Sequence, residues 1–354
     1  MTDQPQIIGG IDTHTDVHQA AVIDTFGRRL ATAAFPTTPA GYHQLLDWLR
    51  SYGTVTAVGV EGTGAYGAEL ARLLRANRVS VIEVDRPDRR TRRAHGKSDP
   101  LDAYAAADAV LAHRAQGTPK TRDGIVEAIR ALRLVRASAV KARTQTTNQI
   151  HALITTAPSP VREPLRALPT AELIRHLARS RPGSDPSDPA CATRTALRRL
   201  ARRHQHLTEE ITDADTELRP LVTQAAPQLV TLLGVGTQTA AQLLITAGDN
   251  PDRLKSEASF AHLCAAAPLP ASSGRTHRHR LNRGGDRHAN SALHMTALVR
   301  MRHDPRTRHY VARRTTEGLT KKDIIRCLKR AIAREIYKHL TSTTTTNTPP
   351  PQDN

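Results

Sequence analysis

The chain has 354 residues, enough for two or three domains with proper cores, and carries 51 Lys and Arg against 33 Asp and Glu, a formal net charge of +18. That excess points to a polyanionic partner, and the lack of any apolar run near the roughly 18 residues of a spanning helix excludes a transmembrane segment as its cause. Aromatic residues make up only 3%, too few for a single-strand binder that works by base stacking, so affinity should come from Arg and Lys contacts to phosphate.

Apolar runs at Ile7–Asp12, Val17–Asp24 and Leu30–Phe35, separated by short polar turns, predict three antiparallel strands. A helix entered through Pro39 follows, with Tyr42, Leu45, Leu46, Trp48 and Leu49 on its apolar face. Next come a strand ending at Glu61, a helix carrying Ala68, Leu70, Leu73 and Leu74, a strand over Val79–Val84, and an Ala-rich helix from Pro100. A three-strand meander followed by β-α-β-α is the order expected of a ribonuclease-H-like α/β domain.

From about Arg122 to Thr156 the pattern is helical, with Ile125, Ile129, Leu132, Val135, Val140, Ile150 and Leu153 in phase. A Pro- and Ser-rich break at Arg181–Pro189 separates it from a second long helix over Thr193–Leu218. The pair reads as an antiparallel coiled hairpin or dimerisation arm, or equally as solvated spacer helices. Leu232-Leu233-Gly234-Val235-Gly236-Thr237 predicts a helix-hairpin-helix, whose second helix would offer free N–H groups to a phosphate; an ordinary αα-turn is the plainer alternative. The C-terminal helix Lys321–Leu340 carries Ile325, Leu328, Ile332, Ile336 and Leu340 on one stripe, and the Thr- and Pro-rich tail from Thr341 is expected to be disordered.

Candidate chemistry sits in four acids. Asp12 and Glu61 end strands that would lie side by side, and Asp99 and Asp102 open a helix three residues apart and so share one face. Hard oxygen ligands gathered in this way suit Mg²⁺, which can polarise a phosphodiester. Helix capping also accounts for the last two, with Asp99 as N-cap, Pro100 at the first position and Asp102 two further on. Against capping stands the preceding strip of Arg86, Arg89, Arg90, Arg92, Arg93 and Lys97, cations that would bring a nucleic-acid backbone to the acids. A second basic, Gly-rich segment runs from Pro270 through Ser272, Ser273, Gly274, Arg275, Arg278, Arg280, Arg283 and Arg287 to Asn290. It is read as a phosphate-binding loop, or as the seat of a serine nucleophile flanked by guanidinium groups. Cys191, Cys264 and Cys327 have neither zinc nor disulfide spacing, and the N-terminus lacks a secretory pattern, so a reducing cytoplasm is expected.

The strand Asp12, Glu61-Gly62-Thr63-Gly64, Lys97-Ser98-Asp99-Pro100-Leu101-Asp102-Ala103, the glycine hairpin and Ser272-Ser273-Gly274 with Gly284-Gly285-Asp286 occur in one order. That order resembles the IS-one-ten family of insertion-sequence transposases, related to site-specific DNA invertases, over about Ile7 to Leu340. The resemblance implies a RuvC-like N-terminal domain whose Asp12, Glu61, Asp99 and Asp102 bind Mg²⁺. It also implies a C-terminal domain whose serine, Ser273 with Ser272 as the alternative, becomes joined to DNA. Donor and target DNA, a structured guide RNA and a homo-oligomer, dimer or tetramer, are the implied partners, in a bacterial cytoplasm near the nucleoid. A guide that reads sequence by pairing leaves the protein mainly backbone contacts, which suits many Arg and few aromatics.

The expected domains are 1–117 catalytic, 118–222 helical arm, 223–340 helix-hairpin-helix and serine loop, and 341–354 tail. Three other readings stand beside this one. A RuvC-like endonuclease would need the acids but no covalent serine step. A sugar-kinase-like ATPase is raised by Gly10-Ile11-Asp12 with Thr15. A nucleic-acid-binding protein without enzymatic activity would use the acids only as caps.

Overall fold

The computed structural model describes residues 4–84, 98–275 and 278–342; the basic positions Arg86, Arg89, Arg90, Arg92, Arg93 and Lys97 and the tail past Ser342 lie outside them. β1 (Gln6–Thr13), β2 (Val17–Asp24) and β3 (Arg29–Pro36) form the expected meander. Its second turn closes because the Asp24 carboxylate accepts from the amides of Phe26 and Arg28, with Gly27 at φ +82°.

α1 (Pro39–Ser51) starts where the Thr38 hydroxyl accepts from Gly41 N–H. β4 (Thr54–Glu61), α2 (Ala68–Ala76), β5 (Val81–Val84) and α3 (Asp99–Leu111) follow. β5 begins at Val81 rather than Val79, because Val79 N–H donates to Leu74 O and so finishes the preceding helix before the ladder starts. The five-stranded sheet has the order β3-β2-β1-β4-β5, with β4 and β5 parallel to β1.

β1 is buried along nearly its whole length because both of its faces are covered. On one face Ile7, Ile11, Val58 and Val60 pack with Leu45, Leu46, Leu49, Leu70 and Leu74 of α1 and α2. On the other, Ile8, Ala21 and Ile23 pack with Ala103, Ala106 and Ala107 of α3. Each fully buried leucine here stabilises the layer by about 1.5–3 kcal/mol.

Residues 247–259 belong to this same compact unit, with residues up to Gly124, although they are distant in sequence. Asn250 explains how: its Oδ1 accepts from Thr121 N–H at 3.1 Å and its Nδ2 donates to Pro119 O at 3.0 Å. Leu254 is buried, and Arg253 lies close enough to Glu83 for their charges to interact.

The second unit, residues 125–246 and 260 onward, is mostly helical. It holds α4 (Ile125–Thr156), α5 (Ser159–Arg162), α6 (Thr170–Arg179), α7 (Pro189–Ala225), α8 (Pro227–Val230) and α9 (Thr237–Ala247). α10 (Glu257–Leu263), the two-residue strands β6 (Leu269–Pro270) and β7 (His279–Arg280), α11 (Arg287–His303), α12 (Pro305–Thr316) and α13 (Lys321–Ser342) complete the chain.

α4 and α7 run antiparallel, since Arg136 pairs with Asp215 (2.7 Å) while the later Arg143 reaches the earlier Thr208 (3.5 Å). Ala139, Leu207 and Ile211 form the apolar seam between them. α7 begins at Pro189, earlier than the periodicity predicts, because Asp188 caps it by accepting from Ala190 and Cys191 N–H. α6 was not anticipated; its Leu173, Ile174 and Leu177 close a core with Ile150, Ile154 and Leu197. In α13 the buried stripe starts at Ile324, not Ile325, and continues through Leu328, Ile332, Ile336 and Leu340.

Candidate active site

Side chains alternate faces along a strand, so the glycines of β1 and β4 identify the face on which the strand-end acids stand. A Cβ on Gly10 would lie 2.1 Å from Ala103 O, and one on Gly59 would lie 2.6 Å from Ala106 O. Both positions therefore face α3, and only glycine lets that Ala-rich helix approach so closely. Asp12 and Glu61 are each two residues further along, hence on the same face, one step past the Ile11–Val60 pair of the parallel ladder. Both strand-end acids are thus aimed toward the first turn of α3.

That turn carries Asp99 and Asp102. The N-cap is Ser98, not Asp99, and Ser98 makes no side-chain capping bond. Asp99 instead meets His14, and Asp102 is buried with its own N–H donating to Ser98 O. Asp99 is therefore not the N-cap, and both acids stand within the first turn of α3.

His14 is the residue that sequence reasoning missed. Its Nε2 lies 3.1 Å from Asp12 Oδ2 and 3.5 Å from Asp99 Oδ1. Asp12, His14 and Asp99 each offer a ligand atom within 4.8 Å of the others. The signal was present as Asp-x-His at a strand end, where a histidine just past the strand is within reach of its terminal acid.

The Asp12 side chain is 8% exposed and that of Asp99 53%, so the cluster has a closed floor and an open mouth. Burial pushes the Asp12 carboxyl above its ordinary range; the charge and hydrogen bond of His14 pull it down, while Asp102 and Asp99 push it up.

The turn after Glu61 is fixed from two sides. Thr13 Oγ1 donates to Glu61 O at 2.8 Å, and Gly62 adopts φ +74° where a Cβ would lie 2.9 Å from that hydroxyl. Beyond it, buried Thr63 donates to Glu83 Oε1 at 2.7 Å.

Ser272 and Ser273 belong to the second unit. They lie in an exposed connection between β6 and β7, where Ala271 N–H donates to Arg278 O and Gly274 adopts φ +54° in open space. Arg275, Arg278, Arg280, Arg283 and Arg287 are all exposed.

The foot of the loop is firmly held. Gly285 packs so closely on α10 that a Cβ would lie 2.4 Å from Ala265 N. Asp286 caps α11 by accepting from His288 and Ala289 N–H, and its other oxygen accepts from Thr246 Oγ1 at 2.7 Å. Asn290 donates to Ala265 O and accepts from Lys329 Nζ at 2.9 Å. Lys329 is buried, which holds its ammonium below the usual lysine range. No sequence signal marked this partner of Asn290.

The glycine hairpin departs from the expected layout, because the helix before it, α8, is a single turn. Gly234 takes φ +82° and is pinned to α11, with Thr296 Oγ1 donating to its carbonyl and Arg300 Nε donating to Leu233 O. Gly236 has open space around it at the start of α9. No helix among the described residues is long and apolar enough to cross a membrane.

Residues 9–157 match the family model for DEDD-type IS110 transposases, described as "Transposase". Residues 226–312 match the model described as "Transposase IS116/IS110/IS902 family". Among curated relatives, the chain is 36% identical over 96 residues to the insertion element IS110 uncharacterized 43.6 kDa protein of Streptomyces coelicolor, covering 27% of this chain and 24% of that one. It is 33% identical over 127 residues to the insertion element IS900 uncharacterized 42 kDa protein of Mycobacterium paratuberculosis, covering 35% and 32% respectively. Both alignments span well under two thirds of the relatives' own lengths.

Proposed function

Because this chain belongs to the IS110 family of insertion-element transposases, we propose that it is a DNA transposase that cuts and rejoins strands to move an insertion element. The observation that supports this reading is the meeting of Asp12, at the end of β1, with Asp99 and Asp102 of the first turn of α3; Glu61, one step past the Ile11–Val60 rung of the ladder, is proposed as the fourth acid. Such a set of hard oxygen donors fits Mg²⁺. Asp12 in particular is desolvated and crowded by like charge, and a divalent cation relieves both penalties. When bound, the ion supplies Lewis-acid polarisation of a phosphodiester and lowers the proton affinity of an attacking oxygen.

The chain's own residues do the rest. Asp12 and Asp102, both buried, define the floor, and Asp99 stands at the open mouth where a strand would enter. In the serine loop, Ser273 Oγ, with Ser272 as the alternative, attacks phosphorus. The bond from phosphorus to the leaving strand's oxygen breaks, that oxygen departs with a proton, and a seryl phosphodiester remains for a second strand's hydroxyl to resolve. Exposed Arg275, Arg278, Arg280, Arg283 and Arg287 hold backbone phosphates and stabilise the pentacoordinate charge. The open amide end of α9 at Gly236 is a further backbone contact.

A structured guide RNA would supply sequence recognition, and the long α4–α7 pair would serve as the arm for RNA and for self-association. Arg86, Arg89, Arg90, Arg92, Arg93 and Lys97 are proposed as further contacts to nucleic-acid phosphates. In domain terms the proposal keeps a catalytic segment over 1–117, an arm over 118–222 and a serine-loop segment over 223–340.

The test mixes protein, RNA transcribed from the element's flanks, donor and target DNA and Mg²⁺, and resolves the products on a denaturing gel. An adduct mapping to Ser273 or Ser272, absent from the corresponding Ala variant and dependent on Mg²⁺, is expected. Metal-dependent cleavage with no adduct would replace this reading with that of a plain RuvC-like endonuclease.

A further inference from the structure

We infer that His14 is a nitrogen ligand of the divalent-metal site formed with Asp12 and Asp99, so that ions accepting imidazole are held more tightly there than Mg²⁺. The inference rests on the reading of the acids as a metal site given above. It adds a residue and a selectivity that the acids alone do not supply.

Gly10 and Asp12 share the face of β1 that meets α3, and His14, the residue after the strand, brings its ring to Asp12 on that side. Thr13 between them points the other way and spends its hydroxyl on Glu61 O. His14 follows β1 directly, and its Nε2 stands between two carboxylates, 3.1 Å from Asp12 and 3.5 Å from Asp99.

Ligand atoms about 2.1 Å from one cation and at right angles to each other lie roughly 3 Å apart. The two His14 distances therefore have the length of adjacent edges of a single coordination shell. A histidine that merely oriented Asp12 would need to reach only one carboxylate, whereas this ring nitrogen faces both.

The donor type sets the consequence. Mg²⁺ favours an all-oxygen shell, whereas imidazole suits later first-row ions, among which Co²⁺ binds nitrogen-containing sites more tightly than Mn²⁺. The site should thus take Co²⁺ in preference to Mg²⁺, by a margin that His14 provides.

The experiment titrates the full chain with Co²⁺ and Mg²⁺ separately by calorimetry, for the native sequence, His14→Ala, His14→Gln and Asp12→Asn. Pulsed electron paramagnetic resonance of bound Mn²⁺ then reads directly coordinated nitrogen. Asp12→Asn identifies binding at this site among the chain's 17 histidines.

Expected for His14→Ala is a loss of Co²⁺ affinity beyond about a hundredfold, the upper end of the roughly 10–100-fold that removing a merely orienting partner causes. Mg²⁺ affinity should be little changed, and the nitrogen modulation on Mn²⁺ should vanish. His14→Gln, with an amide oxygen in place of the ring, should keep Mg²⁺ binding and lose the preference for Co²⁺. Equal losses for both ions, or no nitrogen modulation in the native protein, would overturn the assignment of His14 while leaving the acidic site standing. If Asp12→Asn binds every ion as the native chain does, the metal-site reading itself fails.

Discussion

At the acid cluster, side-chain position is dictated from beneath. Gly10 and Gly59 admit α3 at contact distance, strand parity turns Asp12 and Glu61 toward it, and Asp12 is almost wholly covered. At the serine loop the anchoring is at the foot. Gly285, Asp286 and Asn290 are tied to α10, α9 and α13, while Ser272 and Ser273 stand exposed at the far end. A carboxylate that must hold a cation benefits from a fixed, partly desolvated setting, since misplacement by an ångström costs much of the electrostatic gain. On the proposed reading, a serine that must meet a bulky duplex would need reach, which an exposed position gives.

The strongest way to break this contrast is to remove one group from each place. Asp12→Asn should lower strand cleavage at least about a hundredfold, the upper range for loss of a group that only supports a metal ligand, and should abolish metal binding in calorimetry. Ser273→Ala should abolish the covalent adduct yet bind metal as before, and should melt within about ±0.5 kcal/mol of the native chain, as expected of an exposed position. An adduct surviving in both Ser273→Ala and Ser272→Ala would end the assignment of the loop.

Packing beneath the acids is tested next. Gly10→Val places atoms where Ala103 O already stands, and should destabilise the first unit by about 1–3 kcal/mol or more in denaturant titration. A neutral result would mean that α3 is not held where the close approach requires. At the other site Asp286→Ala removes a helix cap and leaves Thr246 with one acceptor fewer, so about 1–2 kcal/mol is expected. A fall in adduct yield should accompany it although no atom of Ser273 has been touched.

The smallest effect concerns pH. The Asp12 pKa is raised in the fold, so the folded state holds this proton more tightly than the unfolded chain does. Its unfavourable contribution is absent below the ordinary carboxylate value, grows as pH rises toward the folded pKa, and is complete above it. Metal-free Asp12→Asn should therefore melt slightly higher than the native chain at neutral pH, with the difference fading on acidification. Saturating Mg²⁺ should reverse the order, because only the native site gains from binding.

The sheet was legible because meander strands, their turns and their terminal acids leave local marks: Gly27 in a turn, Asp12 and Glu61 at the ends of apolar runs. β5 began two residues late because Val79 pairs with α2, a competition that a run of apolar residues does not reveal. α6 was missed because its apolar positions matter only once Ile150 and Leu197 are opposite them. His14 was passed over for a similar reason. A lone histidine after a strand looks like surface until the helix that brings Asp99 to it is in place. The basic strip from Arg86 to Lys97 falls outside the described residues.

The return of residues 247–259 to the first unit has a consequence for how such a protein may be divided. Cutting after Gly124 would give a fragment that resembles a self-sufficient module on paper. It would nevertheless lack Asn250, and the Pro119 and Thr121 backbone groups that Asn250 serves would be handed to solvent. The first unit is thus not a bead on a string. It is completed by a stretch of chain synthesised more than a hundred residues later, so on the ribosome its last contacts must wait until most of the helical half has emerged.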